Sequence, residues 1–307
     1  MINTIENRYI WLNGEIINFK NAQINILSPT SQFGANVFEG IRCYWNSDNK
    51  KLYGFRLDEH YLRLQKSIRM LKIEEKYSLK EMKQALFDVV NKEQYDEDIA
   101  VRQTVFVDGN GSWSSKGPAG MFVAPIPKGL SSVEYNKKGL NCCISTWRRI
   151  SDQNLSPRIK CGANYMNSRM AQLEAWDNNY DCAILLNENG KLAEGPGSCL
   201  FIVRDNKLIT PSLSSSILES ITRDTIIQIA TDLDLIVVER EIDRTEVYIC
   251  DEAFLCGSAM EITPIYSVDG YEINNKMGEI TKKIYNLYMD IVRGKNKKYM
   301  KWLTEVK

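Results

Sequence analysis

The sequence predicts two domains of mixed α/β architecture. The chain has 307 residues, and at roughly 150 residues per domain that length suits two. Strand-like and helix-like stretches alternate along it without a regular βαβ period. Near the middle, Pro125-Ile-Pro-Lys-Gly-Leu-Ser-Ser132 is dense in chain breakers and reads as an interdomain linker. The expected division is a smaller N-terminal α/β domain over 1–124, a linker over 125–136 and a larger C-terminal α/β domain over 137–307.

The elements follow in order. Residues 8–19 read as two short strands around the Asn13-Gly14 turn, a strong hairpin signal. Strands are expected over 37–45 and 52–56. Tyr61, Leu64, Ile68 and Leu71 recur at helical spacing and predict a helix over about 58–72. Ser78 with Glu81 three residues on is a capping box, and Met82, Leu86 and Val89 give the next helix its apolar face. Strands over 99–107 and 119–126 flank the Gly/Ser-rich loop Asp108–Pro118. The second half predicts a strand over 140–147 and a helix over 164–177. Two strand pairs follow, 181–187 with 191–194 and 199–204 with 207–210. A helix over 222–233, strands near 235–241 and 252–256, and a last helix over 277–292 complete the reading. From Arg293 to Lys307 the chain is basic and reads as a solvated, frayed end.

Composition removes several classes of function. Lys+Arg and Asp+Glu both number 39, so the formal charge is zero and the global basic excess of a nucleic-acid binder is missing. Mean hydropathy is −0.32, and no run approaches the ~18 apolar residues of a membrane span. The first residues, MINTIENRYIWLNGEIINF, do not follow the signal-peptide pattern. The eight Cys form no C-x-x-C pair and lie mostly in apolar contexts, as expected of buried reduced thiols in a cytoplasmic protein. With His60 the single histidine, multi-His zinc sites are excluded. The chemistry therefore falls to Lys, Tyr, Glu, Arg, main chain and a cofactor, with no metal expected.

A few residues invite a chemical reading. Lys160 stands at an expected strand-to-helix junction; it is either an ordinary loop lysine or a partly desolvated amine able to form a Schiff base. Tyr165, five residues on, is a core tyrosine or a phenol donor to such a group. Glu194 opens Glu-Gly-Pro-Gly-Ser, where the backbone can approach a ligand closely. It is an exposed hairpin-end carboxylate or the partner of a protonated ring nitrogen. Thr222 suits the N-cap of the helix that follows, whose free N–H groups can bind phosphate. Cys256-Gly-Ser-Ala-Met260 is small enough to turn its N–H groups to an anion. Arg63 reads as an exposed helix-face arginine. Arg42 and Arg102, inside apolar strands, suggest anion recognition or ion pairing.

Five stretches in order, Val37-Phe-Glu-Gly-Ile-Arg-Cys-Tyr44, Lys160-x-Gly-x-Asn-Tyr165, Glu194-Gly-x-Gly-Ser198, Ile221-Thr-Arg-Asp-Thr-Ile226 and Glu261-Ile-Thr-Pro264, resemble the branched-chain-aminotransferase-like class IV (fold type IV) pyridoxal phosphate aminotransferases. The resemblance spans nearly the whole chain. It implies the two-domain α/β (α+β) fold of D-amino-acid-aminotransferase-like enzymes, with pyridoxal 5'-phosphate at the domain boundary, and a homodimer. By resemblance, Lys160 is the Schiff-base lysine, Tyr165 the partner of the cofactor's phenolic oxygen and Glu194 the carboxylate facing the pyridine nitrogen. Arg63, Ile221, Thr222 and Ser258, with Gly257 beside it, match the phosphate ligands. Phe38, Gly40, Arg102 and Ala259 fall on substrate-side positions.

The resemblance implies ping-pong transamination of branched-chain L-amino acids with 2-oxoglutarate through Lys160, with Arg102 receiving the distal carboxylate of glutamate. Some positions depart from the family. Phe33 and Ala100 stand where Tyr is frequent, Lys128 where Trp is frequent and Ser258 where Thr is usual. A larger or more polar side chain is a consistent substrate. Aromatic, D-amino-acid or specialised-pathway specificity therefore stays open, as does a same-fold lyase acting on an aminodeoxychorismate-like substrate. Neither nucleic acid nor membrane is an expected partner.

Overall fold

The computed structural model describes residues 8–128, 139–274 and 276–307. The described chain divides into two compact units. One contains residues 8–128, Ile159–Ala163 and Asp290–Lys307; the other contains 139–158 and Asn164–Met289.

Among the described residues the first unit holds one seven-stranded antiparallel sheet. Its strands are β1 (Tyr9–Leu12), β2 (Glu15–Asn18), β3 (Asn36–Asn46), β4 (Lys51–Phe55), β5 (Ile99–Val107), β6 (Ala119–Pro127) and the terminal strand Leu303–Glu305. Their spatial order is terminal strand, β4, β3, β5, β6, β1, β2. The β1–β2 hairpin closes with Leu12 opposite Glu15. Asn13 and Gly14 both have positive φ, which a two-residue turn matched to strand twist requires. A short helix α1 (Pro29–Phe33) precedes β3, and helices α2 (Leu57–Met70) and α3 (Leu79–Glu93) lie between β4 and β5. The capping box of α3 forms as expected, with Ser78 N–H donating to Glu81 at 2.8 Å. Leu57, Tyr61, Leu64 and Ile68 of α2 and Met82, Leu86 and Val89 of α3 bury against Val37, Ile41, Val101 and Val105.

Side chains alternate across strands, so β3 has two chemically different faces. Val37, Glu39 and Ile41 share one; Asn36, Phe38 and Gly40 share the other. The register carries the second face across the sheet: Phe38 lies opposite Thr104 and Gly40 opposite Arg102, while Phe122 lies opposite Thr104.

The second unit is built on a nine-stranded mixed sheet among the described residues. It contains β7 (Leu140–Arg148), β8 (Cys182–Leu186), β9 (Glu194–Gly195), β10 (Ser198–Arg204), β11 (Lys207–Thr210), β12 (Ile236–Glu239), β13 (Glu252–Gly257), β14 (Glu261–Val268) and β15 (Tyr271–Glu272). Helix α4 (Tyr165–Asp177) packs Ala171 and Ala175 on Ala183 and Leu185. Helices α5 (Ile221–Asp232) and α6 (Glu279–Val292) complete the unit's elements; α6 starts under Glu252, which accepts the Ile280 and Thr281 N–H groups at 3.0 and 2.7 Å.

Several expectations are corrected. Pro125–Pro127 is not linker: it pairs with Ile99–Val101 at the end of β6. The rest of the expected linker, apart from Lys128, lies outside the described residues. The C-terminal stretch is not frayed. Its aromatic and apolar residues outweigh its charge: Trp302 meets Phe55 edge-on at 6.3 Å, Tyr299 and Val306 are buried, and Leu303–Glu305 adds a strand to β4. Arg293 donates to Asp98 at 2.7 Å. Residues 191–194 make only isolated bridges and the two-residue β9. The strand β14 was not expected; its Pro264 hides it, yet Pro264 pairs with Phe254.

Candidate active site

In the first unit, Lys160 is placed by its main chain. Its N–H donates to Ser67 Oγ of α2 at 3.2 Å, and its carbonyl accepts the Phe38 N–H at 2.9 Å. Cys161 bridges to Val37, and Gly162 N–H donates to Asn36 Oδ1 at 3.2 Å. A Cβ on Gly162 would come within 2.8 Å of Asn36 Oδ1, so a side chain here would displace the Asn36 amide that accepts this N–H. The Lys160 ammonium lies 5.0 Å from the Phe38 ring centroid, and the Arg102 guanidinium lies 4.1 Å from the same ring. Two cations thus meet one aromatic ring, whose π face attracts positive charge.

An open cleft of about 390 Å³ borders this point. Phe38, Phe106 and Phe122 give it apolar walls, with Arg102, Thr104 and Gly162 also in its lining. An apolar pocket with one arginine in its lining suits a molecule carrying a greasy part and a carboxylate. Phe33, at the end of α1, and Lys128, whose N–H donates to the Asp98 carbonyl at 2.9 Å, are not in that lining.

Arg63 is not the exposed helix-face residue that α2 alone suggests. It is 9% exposed and pairs side-on with Glu39, Nε to Oε1 at 2.8 Å and Nη2 to Oε2 at 2.7 Å. His60 Nδ1 lies 2.7 Å from the same Oε2. Residues 60 and 63 share one helical face, and Glu39 points from β3 into it. Burial pushes the Glu39 carboxyl up, but the charges and hydrogen bonds of Arg63 and His60 outweigh it and hold the group well below the usual carboxylate range. Burial lowers the His60 pKa against the pull of Glu39. Nδ1–H then donates to the ionised carboxylate.

The second unit gathers the other predicted residues. Glu194 is buried, not at an exposed hairpin end. Arg149 Nε donates to its Oε1 at 2.9 Å, and the Leu218 N–H reaches both oxygens at 3.2 Å. Cys199 faces Glu194 across β9–β10 and Cys256 across β10–β13. Its thiol donates to Glu194 Oε2 at 3.6 Å. Burial, then the Glu194 charge, pushes that thiol up to about 12.

Gly257 ends β13 beside Gly197: a Cβ on Gly257 would sit 3.2 Å from the Gly197 carbonyl oxygen, and one on Gly197 would sit 3.9 Å from Tyr165 Cε1. Ser258 and Ala259 form the β13–β14 turn. Tyr165 is the first residue of α4. Two residues after Leu218, Ser220 caps α5 by accepting the Arg223 N–H at 3.2 Å. The cap is therefore Ser220, not Thr222; Ile221 and Thr222 are the first helical residues.

The model of the family described as amino-transferase class IV matches residues 36–268. The chain belongs to the class IV aminotransferases. It is 35% identical over 308 residues to the probable branched-chain-amino-acid aminotransferase of Aquifex aeolicus, covering 100% of this chain and 99% of that one. It is 34% identical over 304 residues to the branched-chain-amino-acid aminotransferase of Escherichia coli K12, with 97% of each covered. Among solved structures, the branched-chain aminotransferase of Thermoproteus uzoniensis with norvaline superposes with a TM-score of 0.93 at 39% identity, over 98% of this chain and 99% of that one. The enzyme of Thermobaculum terrenum in its PLP form gives 0.92 at 42% identity, over 98% and 99%. The mixed two-sheet architecture of this class IV aminotransferase is thus the family's own.

Sequence reading missed three residues that the structure places in direct contact with predicted ones: Glu39, Ser67 and Arg149. Strand parity carried a signal for Glu39, since an inward carboxylate in an apolar strand needs a buried cation. Arg149 carried none, because its partner is 45 residues away.

Proposed function

We propose that this class IV aminotransferase transfers the amino group of branched-chain L-amino acids to 2-oxoglutarate, using pyridoxal 5'-phosphate. The observation that carries the reading is end-to-end similarity to enzymes named for branched-chain transamination, together with the apolar cleft around Phe38. The residues also fit the cofactor. Glu194 is a buried, acceptor-only carboxylate able to take one more N–H donor. A Cβ on Gly257 would press the Gly197 carbonyl oxygen at 3.2 Å, so the backbones pack closely there, and α5 begins at Ile221 behind its Ser220 cap, the kind of helix start that binds anions.

In this reading Lys160, Tyr165 and Glu194 hold the ring, and Arg63, Ile221, Thr222, Gly257 and Ser258 hold the phosphate. When bound, pyridoxal phosphate supplies an electron sink for the substrate's Cα carbanion. Lys160 Nζ takes the Cα proton as general base and returns one as general acid. Arg102 receives the distal carboxylate where the substrate is glutamate. Phe38, Phe106 and Phe122 take the aliphatic side chain; Gly40 and Ala259 join the substrate side by the family resemblance. Phe33 and Lys128 lie outside the cleft lining and enter the reading only by the family resemblance; one methylene is worth only ~1–3 kcal/mol, so a few positions decide specificity. An amino-donor panel with 2-oxoglutarate, read as glutamate formed, tests this. Leu, Ile and Val should exceed Phe and D-alanine; no turnover of the three rejects it.

A homodimer is part of the same proposal. Ile26 is 80% and Leu27 56% exposed, and Trp113 is 74% exposed on the 108–118 loop. Asn25 Nδ2 donates to Asn110 Oδ1 at 2.7 Å, which ties the two loops together. Apolar residues grouped this way mark an interaction surface. Sedimentation should give twice the chain mass, and Ile26→Asp with Leu27→Asp should halve it; a monomeric parent protein refutes the assignment. The eight buried thiols, all free, support a reducing, cytoplasmic setting. Among the described residues no helix is long and apolar enough to cross a membrane.

A further inference from the structure

We propose that Glu39, backed by His60, is a positioning residue for cofactor binding: it fixes the Arg63 guanidinium in the one orientation in which Arg63 meets the cofactor phosphate. The inference rests on the reading of Arg63 as a phosphate ligand and goes beyond it to the residues that aim that ligand.

The geometry is specific. An arginine on a helix has four side-chain torsions and pays entropy to hold one pose. Here the pose is set by a side-on, two-bond pair with Glu39, at 2.8 and 2.7 Å. Such a pair fixes the plane of the guanidinium as well as its position. Glu39 itself cannot swing, because it is fully buried and His60 holds Oε2 from the next turn of α2 at 2.7 Å. The strut therefore ties β3 to α2 at the arginine. A fully apolar β3–α2 contact would pack as well without burying charge. The cost of desolvating a carboxylate is offset here by a cation that is itself only 9% exposed. A second observation places this strut beside the chemistry. Phe38, the residue before Glu39, holds the Lys160 carbonyl, and Ser67, on the Arg63 side of α2, holds the Lys160 N–H.

The test compares pyridoxal phosphate with pyridoxal, which lacks the phosphate, as ligands of the cofactor-depleted full-length chain. Glu39→Gln keeps the shape and removes the charge. Its dissociation constant for pyridoxal phosphate should rise about tenfold, the effect of exchanging a charged for a neutral acceptor, and that for pyridoxal should stay unchanged. Arg63→Ala should raise the first constant at least as far, and adding Glu39→Gln to it should cause no further rise, since both act through one group.

Equal weakening for both ligands, additive effects in the double variant, or a lowered melting temperature with unaltered affinity would each overturn the proposal. If Arg63→Ala leaves pyridoxal phosphate affinity intact, the phosphate reading of Arg63 itself fails, and the proposal with it. Should Glu39→Gln not fold, His60→Gln, which leaves the Glu39–Arg63 pair in place, serves in its stead. A smaller rise confined to the phosphorylated ligand supports the strut, and no rise or an equal one overturns it.

Discussion

Replacing Lys160 by alanine should abolish the covalent link between protein and cofactor and lower the transamination rate by at least the ~10²–10⁴-fold that a positioned general base contributes. Loss of the amine as nucleophile adds to that figure. The fold should survive the change. Its bonds to Ser67 Oγ and from the Phe38 N–H use the main chain of residue 160, and alanine keeps both. The side chain is only half-buried, so its removal leaves no sealed cavity. Borohydride reduction of the loaded enzyme, followed by peptide mapping, reads the link directly. The parent protein should carry the label at 160 and the variant nowhere. A label on another lysine, or turnover near normal in the variant, refutes the assignment.

Glu194→Ala should have two separable effects. The first is on stability. The pair with Arg149 is buried on both sides, at 8% and 5% side-chain exposure. Removing one partner strands the other, a loss of about 3–5 kcal/mol, and the Leu218 N–H loses its acceptor as well. Urea unfolding measures this. The second effect is on rate. A fixed charge opposite the place where charge develops is worth about 10²–10³-fold in kcat. Glu194→Gln separates the two. Its amide oxygen still accepts from Leu218, so part of the stability returns, while the charge stays lost and kcat stays low. Stability and kcat recovering together in Glu194→Gln would mean that the carboxylate serves the fold alone.

The elements that could be read from local pattern are those whose signal lies within a few residues. The Asn13-Gly14 hairpin, the Ser78–Glu81 cap and the α2 stripe of Tyr61, Leu64 and Ile68 each depend on neighbours in the chain. The errors arose where a distant partner overrode the local signal. Proline and lysine made 125–128 look like a linker, yet β5 supplied a strand to pair with. The basic tail looked solvated, yet β4 offered an open edge and Phe55 an aromatic contact. Thr222 is a sound cap by type, but Ser220 stands where the backbone leaves the extended region.

The candidate site divides in the same way. Lys160, Tyr165 and Glu194 stay ambiguous in their own segments and could be named as site candidates only through the resemblance of the ordered motifs to the family. The ordered motifs of the chain alone determined the family, and with it the class of chemistry. Only the tertiary structure decided which charges are buried together: Glu39 with Arg63 and His60, and Glu194 with Arg149. The physical reason is that a charge's state depends on what lies within a few ångströms in space, and here those neighbours come from strands and helices 21 to 45 residues away.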